Sequence, residues 1–235
     1  KPSFYPAALA LGELLTEKTG RLPEAEKAFA LASRSGAKKG SEALHGAAFF
    51  AGFVLEQFDR AARLYQRQLS IDPDDFIAQS NLVILSLYVH GDRKPEVNAE
   101  FLRAHPPHGR AVMEAIVALL NDRFVPEVHL PSVFEGDGVD LIDTYRGFLY
   151  LLLREVRRRG FGVATLTWFD ASGTGDRQWP VRAAFDAYLN GETKLLDINP
   201  EVRTAAQKIH SLLTAPERYI KSPGRPGDPG ADSDE

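Results

Sequence analysis

Three stretches that share one pattern decide the fold, and each begins 36 residues after the one before: PEAEKAFALA (23–32), DRAARLYQRQ (59–68) and PEVNAEFLRA (95–104). In the middle stretch the small residue Ala61 is followed four positions later by the aromatic Tyr65. Residues four apart lie on the same face of an α-helix, so the pattern predicts a repeated helix with one small-plus-aromatic face. The equivalent residues of the other stretches are Ala25 with Phe29 and Val97 with Phe101, and a third row is Ala32, Gln68 and Ala104.

A second apolar segment precedes each of these stretches, and its length and composition are typical of a helix. Between the second and third pairs, Pro73 ends one helix and Asp74 or Asp75 can cap the next. Gly20 and Gly91 separate the helices within the first and third pairs. The three upstream segments are AALALGELL (7–15), EALHGAAFFAGFVL (42–55) and FIAQSNLVILSLYV (76–89). The sequence therefore predicts repeated pairs of helices.

This arrangement resembles the tetratricopeptide repeat family over about residues 5–122. The family pattern runs from Leu-Gly through an aromatic residue and a Gly to Ala-x-x-x-aromatic-x-x-Ala, and then to Pro. The matching positions are Leu11, Gly12, Gly20, Ala25, Phe29 and Ala32, then Ala61, Tyr65 and Pro73, then Asn81, Leu82, Gly91, Phe101 and Ala104; GRAVMEAIVALLND (109–122) would begin a fourth repeat.

Three features depart from that pattern. The family period is about 34 residues, the opening Trp is missing, and Gln68 stands where a small residue is usual. We expect the two extra residues of each repeat to lengthen the turn inside each pair. An unrelated array of helical hairpins is the alternative, and it has nearly the same consequence for the fold.

The resemblance implies that stacked hairpins form a concave face that binds a peptide or a helix of a partner protein. One subtype of the family clamps a C-terminal carboxylate, but of the aligned positions Ala10, His45 and Asn81 only Asn81 would suit such a clamp, so we do not expect that ligand. The candidate groove residues are His45, Phe50, Phe53, Asn81, Ile84 and Tyr88. Core packing between hairpins is the alternative for both phenylalanines and for Phe49.

The repeat pattern stops after Arg123. Residues 124–138 contain two prolines and no helical pattern, which predicts an irregular or partly strand-forming connection. The pattern of residues 139–159 predicts one long, buried helix that starts with acidic residues and ends with arginines, as the helix dipole favours. The segment VATLTWF (163–169) is β-branched and short, so it predicts a strand. Helices are also predicted over 180–190 and 199–213, where Pro180, Asn199 and Pro200 provide starting signals.

These elements predict a mostly α fold. It consists of a tetratricopeptide-like solenoid of about three and a half repeats, over residues 1–123, and a C-terminal cap over 124–216. The cap is mainly helical, with one or two short strands. Residues 217–235 are rich in Pro, Gly and charge, and we expect this tail to be disordered.

Composition limits the function classes. The 235 residues carry a formal net charge of −4, which argues against a surface that binds nucleic acid or anionic lipid over its whole extent. The chain has no cysteine, so a thiolate metal site or a disulfide framework is excluded. These features favour a cytoplasmic protein with no membrane partner. Met113 is the only methionine, which leads us to expect a piece of a longer polypeptide.

Asp170 is the most suggestive residue for chemistry, because it follows the predicted strand within DASGT (170–174). Such a position is typical of a phosphoryl-transfer nucleophile, as in haloacid dehalogenase-like phosphatases. Only 65 residues remain after Asp170, and they predict no further strand that would extend a sheet around it. Ser172 also stands where that family places a second Asp. We therefore interpret the segment as a turn and predict no catalytic residue.

Two other motifs favour structural interpretations. His105 and His108 are separated by two prolines, and no further ligand completes a metal site, so we interpret the motif as a linker. Arg157, Arg158 and Arg159 form a possible basic patch for phosphate groups, but a solvated helix end is the preferred interpretation. No metal and no cofactor is predicted.

The sequence thus favours a non-enzymatic interaction module that binds a protein or peptide partner, as the sensor, docking or scaffold end of a larger protein. The first alternative is an enzyme with its site between the array and region 124–179. The second is a nucleic-acid binder that uses Arg157–Arg159. The oligomeric state does not follow from the sequence.

Overall fold

A computed structural model describes residues 7–8, 10–12, 24, 27–28, 31, 44–89, 107–134, 146–172 and 179–221, and this part of the chain is mostly helical. Of these described residues, 86% lie in helices and none lies in a strand. The mostly α class is therefore confirmed. Predictions for Ala25, Phe29, Val97 and Phe101, and for residues 222–235 of the tail, lie outside the described part. Residues 217–221, which we expected to belong to the disordered tail, lie instead in a helix (Ala215–Lys221).

Nine α-helices have defined bounds in this part of the chain. They are α1 (Phe58–Ile71), α2 (Phe76–Val89), α3 (Pro107–Leu120), α4 (Pro126–Phe134), α5 (Arg146–Arg158), α6 (Gly162–Ala171), α7 (Trp179–Asn190), α8 (Pro200–Leu213) and α9 (Ala215–Lys221). A π-helix (Phe50–Val54) continues the helical residues 44–49, and a 3₁₀ helix (Glu192–Leu196) joins α7 to α8.

In the second of the predicted helical pairs, the small-plus-aromatic face of α1 lies in the core. Ala61 and Tyr65 of α1 are both fully buried. A Cβ added to Gly52 would lie 2.9 Å from the Cβ of Ala61 and 3.0 Å from Leu85, so the glycine allows the π-helix to approach α1 and α2 closely. Only residues 55–57 connect the π-helix to α1. The turn inside this pair is therefore short, and the two extra residues that we expected there do not lie in it. The π-helix is the other place for extra residues, because it has more residues per turn than an α-helix.

Helix α5 is the centre of the described structure. Residues 147–156 are all buried, and the helix packs against the π-helix, α3, α6 and α8. A Cβ at Gly147 would lie 2.7 Å from the ring of Phe53, so the two helices touch at this glycine. One hydrophobic core continues across residue 123. The predicted array and cap thus share a core, with the buried part of helix 139–159 confirmed for 146–158.

The predicted strand at 163–169 is wrong, because this segment lies within helix α6. Its buried side chains are Thr165, Trp168 and Phe169, which have the i, i+3, i+4 spacing of a helix face. Strand propensity largely reflects fit to a half-buried surface, and here packing overrides it.

The predicted lack of helix in 124–138 is also wrong, because α4 occupies part of that segment. Pro126 is the first helical residue, where its missing N–H is not needed. Pro131 lies inside the helix, where its missing N–H removes one backbone hydrogen bond. The spacing of the buried residues Leu130, Val133 and Phe134 is again i, i+3, i+4, so core contacts outweigh the proline signal.

Among the described helices, none is both long and apolar enough to cross a membrane.

Candidate functional site

Three of the predicted groove residues lie in the core. Phe50, Phe53 and Ile84 are each at most 1% exposed, and Phe53 packs against Phe148 of α5 with ring centroids 5.5 Å apart. For Phe50 and Phe53 the structure agrees with the alternative interpretation, which is core packing. In this conformation these side chains are not accessible to a partner.

Asn81 has a structural partner instead of a free amide. It is buried, and its Nδ2 donates a hydrogen bond of 2.9 Å to the hydroxyl of Tyr65. Burial raises the pKa of Tyr65 well above its ordinary value, although the hydrogen bond from Asn81 opposes the shift. A buried amide and hydroxyl that satisfy each other hold α1 and α2 in register.

His45 lies beside the same pair, with its ring 5.8 Å from that of Tyr65 in an edge-on arrangement. Burial lowers the pKa of His45; Asp75 raises it and Arg146 lowers it further. Asp75 also accepts a hydrogen bond of 2.9 Å from the backbone N–H of Ala78 and one of 2.7 Å from Gln68. The carboxylate therefore caps α2 as predicted.

Tyr88 is half-buried, and its ring stacks on Phe58 at 4.6 Å. Its hydroxyl is buried and has no hydrogen-bond partner among the described residues. Burial raises the pKa of Tyr88, and the neighbouring Glu155 and Glu56 raise it further. The structure thus brings His45 and Asn81 together, but it does not join the six predicted residues into an open groove.

The predicted basic patch is neutralised by carboxylates. Arg157 pairs with Glu217 at 2.7 Å and lies over the ring of Tyr188, 4.1 Å from its centroid. Arg158 pairs with Glu56 and Glu155. The remaining distances are 2.9 Å for Arg158–Glu155, 2.7 Å for Arg159–Asp122 and 3.3 Å for Arg159–Glu155. All three arginines therefore serve intramolecular contacts.

Arg154 is the main residue that the sequence analysis missed. Its side chain is fully buried and donates hydrogen bonds to backbone carbonyls at the ends of two helices. Burial lowers the pKa of Arg154, and Glu56, 3.4 Å away, opposes this. A cation is favourable at helix C-termini because their carbonyls are unsatisfied. The acceptors are Phe53 (2.6 Å) and Val54 (3.3 Å) at the π-helix, and Leu212 and Leu213 (3.2 Å) at α8.

Two of the acidic partners occupy unusual backbone positions. Glu56 and Asp122 have φ angles of 58° and 57°, and they are the only non-glycine residues with positive φ among the described ones. Each follows the end of a helix, where glycine is usual. We give the name arginine end to the four arginines and their carboxylate partners. Its members are Arg154, Arg157, Arg158, Arg159, Glu56, Asp122, Glu155 and Glu217. The signal in the sequence was an arginine inside the apolar run of 147–156.

Asp170 is in the last turn of α6, so the predicted strand-turn setting is absent. It is exposed and pairs with Arg182 of α7 at 2.8 Å. In the histidine motif, Pro107 and His108 begin α3, and the preceding residues lie outside the description. Within the described residues, no group of His, Asp and Glu side chains is arranged to hold a metal ion.

The connection between α1 and α2 exposes large apolar side chains. Ile71, Phe76 and Ile77 are 37%, 40% and 58% exposed. They flank a short turn that is fixed by hydrogen bonds from Asp75 N–H to the Asp72 carbonyl (3.3 Å) and from Gln79 to the Pro73 carbonyl (2.7 Å). We name these three side chains the apolar tip.

A second exposed set lies on α4 and α6, which pack side by side. Phe124 before α4 contacts Phe161 before α6, and Phe134 at the end of α4 contacts Phe169 near the end of α6. The two helices therefore run in the same direction. Val125, Val128 and Val163, at their starts, are 44%, 65% and 77% exposed, and we name them the valine face.

No protein-family model, no curated protein and no solved structure was found to match the chain.

Proposed function

We propose that the chain is a non-enzymatic interaction module built from tetratricopeptide-like helical hairpins, and that a protein partner docks on the apolar tip. The observation that carries the proposal is the exposure of Ile71, Phe76 and Ile77 next to a well-filled core. Large apolar side chains that cluster on a surface are typical of interaction sites.

The apolar tip is also held rigidly. Asp75 binds Gln68 of α1 and the N–H of Ala78 in α2, and the buried pair Tyr65–Asn81 fixes the two helices below it. A surface that is already ordered loses little conformational entropy when a partner binds. This favours docking at the tip over binding along α2, where residues 80–89 have no fully exposed side chain.

The hairpin organisation supports the repeat interpretation. Ala61 and Tyr65, which define the repeated pattern, are the residues by which α1 packs into the core. The expected partner is a protein or a peptide, as for the concave face that the resemblance implies, but the contact is moved to the connection between two consecutive pairs.

Site-specific crosslinking tests the proposal. A photoreactive benzoylphenylalanine at Ile77 should form a covalent adduct with another polypeptide in cells, and the change Phe76→Ser should weaken the adduct severalfold by shrinking the apolar surface. The same photoreactive residue at Val163, which is more exposed, is the matched control. Equal adducts at both positions, or none at Ile77, would contradict docking at the tip.

A further inference from the structure

We infer that the partner segment that docks on the apolar tip is a cationic amphipathic peptide segment, with Lys or Arg beside its apolar residues; this rests on the proposed function. The turn between Ile71 and Phe76 contains Asp72, Asp74 and Asp75. Asp72 and Asp74 are exposed, and no hydrogen bond or ion pair of their carboxylates occurs with any described residue.

The third carboxylate makes hydrogen bonds but no ion pair with a described residue. Asp75 accepts hydrogen bonds from Gln68 and from the N–H of Ala78, and neither donor carries a charge. Arg67, one helical turn before Ile71, is the nearest cation along α1. The last carbonyls of α1 add negative partial charge at the same place. Among the described residues, the turn therefore contains three carboxylates, and the nearest cation along α1 is a single guanidinium one helical turn away.

The rest of the described surface shows that this imbalance is local. At the arginine end, Glu56, Glu155 and Asp122 each pair with at least one arginine. The valine face has Arg123 and Glu127 as exposed neighbours, which is one charge of each sign. Of the apolar tip and the valine face, the tip alone combines exposed apolar groups with an excess of one charge, and such a surface selects a partner of the opposite charge.

Two synthetic helical peptides test the inference by fluorescence anisotropy. They have identical leucine positions and differ only in Lys or Glu on the polar face. The Lys peptide should bind about tenfold tighter than the Glu peptide, and the difference should shrink in about 1 M salt, where the Debye length is about 3 Å. The double variant Asp72→Asn, Asp74→Asn should reduce the difference in affinity between the two peptides to about threefold or less.

A control variant separates local charge from net charge. Glu127→Gln with Asp197→Asn also removes two exposed carboxylates, but not from the tip, and it should leave the preference for the Lys peptide unchanged. If both double variants act alike, or if the two peptides bind equally or not at all, the charge inference is overturned.

The variant Ile77→Ser distinguishes this failure from failure of the proposed function. If the two peptides bind equally and this variant weakens both, the tip is a docking site without charge selection. If it changes neither and no crosslink forms at Ile77, the docking proposal itself fails. Circular dichroism of each variant establishes that the helices are retained.

Discussion

At the arginine end, four guanidinium groups face the carboxylates of Glu56, Asp122, Glu155 and Glu217, whereas the carboxylates of Asp72 and Asp74 have no partner among the described residues. Both regions lie where helices end, and both contain charged side chains beside apolar ones. The two regions differ in the pairing of their charges and, at Arg154, also in burial. Arg154 is inside the protein and binds carbonyls of two helix ends, so its charge serves packing. The charges at the tip face solvent, so they are available to another molecule.

The largest effect is expected at Arg154. The change Arg154→Met should lower the free energy of unfolding by about 3 to 5 kcal/mol, because it leaves buried carbonyls at two helix ends without their donor and removes one of the two arginines that pair with Glu56. Urea unfolding measures this. Arg154→Lys should recover only part, since an ammonium group cannot reproduce the planar set of donors.

Arg123→Met is the control for lost arginine packing, because Arg123 is exposed. It should change the unfolding free energy by less than about 0.5 kcal/mol. If Arg154→Met unfolds at the same urea concentration as this control, the arginine end does not hold the helices together.

A matched pair of charge removals sharpens the comparison. Glu56→Gln should lower the unfolding free energy by about 1.5 to 3 kcal/mol, since it weakens charged hydrogen bonds to Arg154 and Arg158. Asp72→Asn at the tip should leave the urea midpoint unchanged and should weaken only the binding of the Lys peptide. Equal effects of the two substitutions on stability would remove the distinction between the regions.

The smallest effect concerns pH. Burial lowers the pKa of His45 and of His210, so the unfolded chain binds protons more readily than the folded one. Near His45 lie Asp75 and Arg146, and near His210 lie Glu192, Arg218 and Glu217. The two histidines should therefore not affect the free energy of unfolding at pH values above their unfolded-state pKa of about 6.5. As the pH drops below that pKa, the free energy of unfolding should fall.

Urea midpoints at about pH 7.5 and about pH 5.5 check this window. The double variant His45→Asn, His210→Asn should show a smaller drop than the unmodified chain. A midpoint that rises on acidification would show that the sign is wrong.

The sequence pattern was sufficient to predict most of the helices. The small-plus-aromatic spacing identified Ala61 and Tyr65 as core residues of α1, and the apolar run of α5 indicated a buried helix. Both signals are local and periodic, and local periodicity is the strongest information in a single sequence. The same logic would have identified α6 if the spacing of Thr165, Trp168 and Phe169 had been weighed above their strand propensity.

The candidate site was harder to predict, for two physical reasons. Helix α2 is apolar on most faces, so its composition does not reveal which face is covered; the structure covers Ile84 and leaves Ile77 exposed. The arginine end depends on distant partners. Arg154 donates to the carbonyl of Phe53, 101 residues earlier in the chain, and no pattern in a single sequence links such positions.

That separation has a consequence for how the molecule is made. During synthesis the π-helix and α1 leave the ribosome long before α5. Until α5 has been translated, the carbonyls of Phe53 and Val54 lack their hydrogen-bond donor, which is Arg154. Domains generally fold as units as they emerge, and here the unit is not complete at residue 123. Until α5 arrives, the surfaces it covers on the π-helix and α3 are exposed to other nascent chains, and a polypeptide cut between α4 and α5 retains them permanently uncovered.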